Sequence, residues 1–121
     1  MSVETIPDDR SSTLHERQLV DWMLRNASTS GDLSHLESGT DSLRVVGRCG
    51  CGCPSIDFAP GGQTPPAYPI ADAYGADGDG VWMGVILWGT NCLVTGLEVY
   101  ELELPVRSLP LLETMCLAPP D

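Results

Sequence analysis

A chain of 121 residues with 17 acidic and 6 basic side chains has a net charge of −11, a field that repels nucleic-acid phosphates and anionic membrane surfaces. The length suits one domain, and 42% hydrophobic residues can close a core without a disulfide or metal to hold it. No apolar run approaches the roughly 20 residues that a bilayer crossing needs, so the composition excludes nucleic-acid and membrane partners.

Residues 1–12 are polar and expected to be flexible, with a single domain over residues 13–121. Thr13 followed by Glu16 fits a capping box, and a helix is expected from there to about Ala27. Its apolar stripe, Leu19, Val20, Trp22, Met23 and Leu24, is spaced to dock on a sheet. Asp32–Glu37 reads as a short helical turn that tucks Leu33 and Leu36 under the helix, with His35 a solvated neighbour of Glu37.

Leu43 to Phe58, LRVVGRCGCGCPSIDF, is the most distinctive stretch. On a regular strand Val45, Cys49, Cys51 and Cys53 share one face, while Val46, Arg48, Gly50 and Gly52 share the other. The expectation is a strand whose cysteines serve as small buried hydrophobes, with glycines opposite for close packing. Bound zinc on Cys49, Cys51 and Cys53 is the lesser alternative. At about 3.3 Å per residue, Cys49 and Cys53 would stand on the order of 13 Å apart, so one ion needs a turn, which the glycines and Pro54 are able to supply. Five cysteines is an odd number, and MSVETIPDDR shows no secretion signal. Free thiols in a reducing cytoplasm, with no cofactor, are therefore expected.

Ser55–Phe58 continues as a second strand segment with Asp57 opposite Ile56 and Phe58. Residues 60–69, PGGQTPPAYP, hold four prolines and two glycines and must be a surface loop, with Gln63, Thr64 and Tyr68 as its polar handles. Ile70–Tyr74 reads as a short edge strand. Asp77-Gly78-Asp79-Gly80 is a hairpin signal. It fails as a calcium loop, because Val81, Met83 and Trp88 would occupy ligand positions.

Val81–Gly89, VWMGVILWG, is apolar on both faces. The proline loop and the tail are expected to cover the side that carries Trp82 and Trp88, with a groove or a homodimer interface as the next reading. Leu93–Leu102 is the last strand. Glu98 sits there among apolar neighbours, and Arg48 is its expected partner across the sheet. Residues 105–121 form a wrapping tail anchored by Leu109, Leu111, Leu112 and Met115.

The strings CGCGCPSIDF at 49–58 and GLEVY at 96–100 resemble a family of small bacterial proteins, common in actinobacteria, which pair a CGCGCPS strand with a terminal GLEVY strand. The resemblance spans roughly residues 14–110. It implies an α+β domain, carries no activity, and flags Cys49, Cys51, Cys53, Pro54, Ser55 and Glu98 without giving them roles.

The expected fold is α+β: an antiparallel sheet of four to five strands in mostly meander order, with one or two N-terminal helices on one face. The expected function is a non-enzymatic, immunity-like or inhibitory module that engages a protein partner. Trp82, Trp88, Tyr68, Glu98 and Arg48 are its candidate binding residues, and no residue is assigned catalysis. A metal or redox thiol site on the CGCGC run is the alternative.

Overall fold

The computed structural model describes residues 5–29 and 31–120. Its frame is a six-stranded antiparallel sheet in the order β1-β2-β3-β6-β5-β4. The strands are β1 (Thr5–Ser11), β2 (Arg44–Cys49), β3 (Ile56–Phe58), β4 (Tyr68–Ala76), β5 (Trp82–Gly89) and β6 (Val94–Glu101). One helix, α1 (Leu14–Asn26), and two 3-10 turns, Ser34–Ser42 and Leu112–Thr114, complete the α+β domain.

The order is mostly meander, as expected, but the sheet has six strands where four to five were expected and is not one continuous meander. Two meanders, β1-β2-β3 and β4-β5-β6, meet where β3 pairs with β6 through Ile56↔Leu97 and Asp57↔Gly96. The proline-rich loop is the cause: it has too few N–H donors to pair beside β3, so it carries the chain across the end of the sheet to the far edge.

Residues 5–11 correct another expectation. They are ordered as edge strand β1 and pair with β2 from Thr5↔Cys49 to Ser11↔Arg44. TIPDDRS shows no apolar alternation because neither of its faces is fully buried. The strand is held instead by its ladder and by Arg44, whose Nε donates to Asp9 Oδ1 at 2.8 Å. Residues 1–4 of the expected flexible segment lie outside the described residues.

The capping box forms as expected. Glu16 N–H donates to Thr13 Oγ1, and the Thr13 N–H donates to Glu16 Oε1. Beyond it Leu19, Val20, Met23 and Leu24 are buried against Phe58, Met83, Val85, Leu87 and Leu97 of the sheet. The tail joins this same layer. Cys116 bridges to Tyr74, and Leu111 N–H donates to the Ala76 carbonyl, so the tail lines the β4 edge. Pro110 and Met115 lie so close over Gly75 that a Cβ there would meet Pro110 Cβ at 2.7 Å.

The tail therefore does not cross the second face of the sheet, as had been expected. That face, opposite α1, carries half-buried Trp82, Ile86 and Trp88 from β5 and Tyr100 from β6. No helix of the described residues is long and apolar enough to cross a membrane.

Candidate metal centre

β2 ends at Cys49, and the chain turns there instead of running extended to Cys53. The Gly52 N–H donates to the Cys49 carbonyl at 3.3 Å, and the Cys49 N–H donates to the Ser55 carbonyl at 3.1 Å. Gly52 has φ +91°, a left-handed conformation that a residue with a Cβ adopts only under strain. This turn brings together three sulfurs that a straight strand would hold apart.

All three Sγ atoms lie within 4.8 Å of one another. Cys49 and Cys51 are in contact at 2.9 Å, the Cys53 N–H donates to Cys51 Sγ at 3.3 Å, and Cys53 Sγ donates to Ser55 Oγ at 3.4 Å. Cys51 is exposed, and Cys49 and Cys53 are half-buried. The expectation of cysteines tucked into the core is overturned. Pairing of Gly47 with Asp57 and of Arg48 with Ile56 uses up the strand residues and leaves 50–54 as a loop beyond the core.

The sulfurs do not titrate alike. Burial, then the contact with Cys51, pushes the Cys49 thiol up to about 12. The hydrogen bond from Cys49, followed by the Cys53 N–H, draws Cys51 below the ordinary thiol range. The pair thus holds a proton on Cys49 and favours negative charge on the exposed sulfur.

Beside the cysteine turn lies an open cleft of about 820 Å³, lined by Cys49, Cys53, Asp57 and Glu98 together with Gln63 and Thr64 of the proline loop. The loop is pinned there by Gly62 N–H donating to the Thr95 carbonyl and by Thr95 Oγ1 donating to the Gly62 carbonyl. Asp57 is ringed by glycines: Gly47 and Gly96 pair with it on the neighbouring strands. A Cβ on Gly62 would stand 3.2 Å from its Oδ2. Burial pushes the Asp57 carboxyl above its ordinary value, and no hydrogen bond reaches it from the described residues. In the sequence this acid shows only as a lone polar residue between Ile56 and Phe58.

The expected binding residues do not all converge on one site. Arg48 and Glu98 both line the cleft, yet no ion pair joins them among the described residues; Glu98 Oε1 instead accepts from the Trp88 indole at 2.9 Å. Trp82 and Trp88 stand at opposite ends of β5, on the order of 20 Å apart at strand spacing, on the face opposite α1. Tyr68 packs against the core on the other side of the molecule, and its hydroxyl donates to Asn91 Oδ1.

The other polar groups that might have signalled catalysis are engaged in structure. The Ser55 hydroxyl accepts from the Val99 N–H and donates to the Val99 carbonyl. His15 bonds the Pro110 carbonyl oxygen; His35, exposed as expected, bonds that of Asn91, and Glu37 pairs with Arg25. In comparisons with known proteins, no family model, no curated protein and no solved structure matches this chain.

Proposed function

We propose that the protein binds a thiophilic metal ion, zinc in the first instance, through the thiolates of Cys49, Cys51 and Cys53. The observation that carries this reading is the convergence of three sulfurs within 4.8 Å on a glycine-bearing turn. Thiolates about 2.3 Å from a tetrahedral zinc stand about 3.8 Å apart, inside the spread that the three sulfurs already occupy. The two shortest partners must open slightly, which Gly50 and Gly52 on either side of Cys51 permit. Soft sulfur donors select zinc or cuprous ions over magnesium or calcium. Three protein donors leave a fourth position for a small exogenous ligand, and the adjoining cleft gives such a ligand access.

Elemental analysis of protein purified under reducing conditions tests this. The expected result is close to one zinc per chain in the native protein and none in Cys51→Ser, a change at an exposed residue. No metal in either protein, together with thiols whose reactivity zinc leaves unchanged, would refute it.

A second reading is a redox dithiol, supported by the 2.9 Å contact of Cys49 with Cys51. It predicts that a mild oxidant removes two protons and two electrons to join these two sulfurs, with Cys53 left free. Peptide mapping of the oxidised protein checks it.

A further inference from the structure

The sheet face opposite α1 is ordered in rows. In one row Tyr74, Gly84 and Tyr100 pair across β4, β5 and β6; in the next, Asp72, Ile86 and Glu98 do so. A Cβ on Gly84 would lie 1.9 Å from Tyr100 Cζ, so the Tyr100 ring lies directly over the glycine, between its two neighbouring strands. Burial pushes the Tyr100 hydroxyl up, and the nearby Tyr74, Asp72 and Glu98 push it further. Trp82 and Trp88 stand at the two ends of this face, half-exposed like Tyr74, Ile86 and Tyr100. The face is therefore a platform of aromatic rings with carboxylates set in the adjoining row.

We propose that this platform docks an arginine-bearing basic segment of a partner protein. Ring faces carry negative quadrupole density and attract a guanidinium, which also stacks flat upon them. Carboxylates one row away accept its N–H groups. Charge decides between occupants. A second copy of the chain, carrying another −11, would bring its own Asp72 and Glu98 into the same interface. The tail is accounted for on the opposite face. Nucleic acid and anionic lipid are repelled. A cationic protein segment alone is attracted by both components of the face, and the charge of −11 steers its approach.

The test titrates a fluorescently labelled arginine-rich peptide into three proteins. Beside the native chain stand Asp72→Asn with Glu98→Gln, and a control, Asp41→Asn with Glu113→Gln, which removes the same charge away from this face. Glutamine at 98 keeps an acceptor for the Trp88 indole. The expected result is a loss of tenfold or more in affinity for the first variant and less than twofold for the control. Amide shifts should fall on β4, β5 and β6, and a lysine peptide of equal charge should bind less tightly. Equal weakening in both variants would reduce the effect to net charge and overturn the proposal. Self-association of the native chain at micromolar concentration through β5 would overturn it in favour of a homodimer.

Discussion

The Ser55 hydroxyl grips both backbone groups of Val99, accepting from its N–H at 2.9 Å and donating to its carbonyl at 3.2 Å. Regular pairing of β3 with β6 covers only Ile56 and Asp57, so this one side chain extends the seam toward the cysteine turn. The same oxygen accepts from the Cys53 thiol, which ties the position of a sulfur to the sheet.

Ser55→Ala leaves the Val99 N–H and carbonyl without their partner. It should cost about 1–3 kcal/mol in denaturant unfolding, the scale of an unsatisfied pair of backbone groups. Zinc affinity should also fall although no sulfur is removed, because the turn loses its anchor to β6. Unchanged stability would mean that water replaces the hydroxyl at no cost.

Asp57 carries a pH signature. Its folded carboxyl sits above the ordinary range because of burial, so between the unfolded and folded values the native state binds more protons than the unfolded chain. Stability contributed in this way is present at low pH and lost as pH rises through that window. Asp57→Asn should accordingly raise the thermal midpoint at pH 7 and bring no gain near pH 3, where both forms are neutral. Calorimetry at the two pH values checks the sign.

Glu16 behaves in the opposite sense. Burial alone would push it up, but two bonds from Arg10 and one from the Thr13 N–H outweigh that and hold it below the ordinary carboxylate range. A depressed carboxyl stabilises above its unfolded value of about 4.3 and loses that contribution as pH falls through the folded value. Glu16→Gln should cost about 2 kcal/mol at pH 7, the scale of hydrogen bonds to a charged group. The gap to the native protein should close in acid, as read from urea midpoints at pH 7 and pH 3.

Gly75 tests the seat of the tail. A methyl group there meets Pro110 Cβ at 2.7 Å and Met115 Sδ at 2.6 Å. The thioether can swing aside, but the proline ring cannot. Gly75→Ala should cost about 1–3 kcal/mol as an overpacked contact and open residues 105–121 to limited proteolysis.

How much was legible follows from which elements carry a local pattern. Thr13 and Glu16 announce a helix start because the box is local, and Leu19, Val20, Met23 and Leu24 announce its buried stripe through their spacing. Asp77 to Gly80 announces its hairpin by chemistry that only a tight turn needs. β1 left no such trace, since TIPDDRS is stabilised by a ladder and an Arg44–Asp9 pair that lie far apart in sequence. The cysteine run misled because Cys/Gly alternation matches strand periodicity. The deciding fact is the turn with positive φ at Gly52 that links β2 to β3, a turn that Gly50, Gly52 and Pro54 permit in the sequence without requiring it. Asp57 was equally hidden: its enclosure needs Gly47, Gly62 and Gly96, drawn from three different segments.

The central claim, that Cys49, Cys51 and Cys53 together hold one metal ion, is tested most directly by titrating the reduced protein with cobalt(II), a spectroscopic stand-in for zinc. Three coordinated thiolates should give an intense sulfur-to-metal charge-transfer band that saturates at one equivalent, is displaced by zinc, and weakens or disappears in each single Cys→Ser variant. A spectrum identical to that of free cobalt, or a band that survives Cys51→Ser at full strength, would contradict the account.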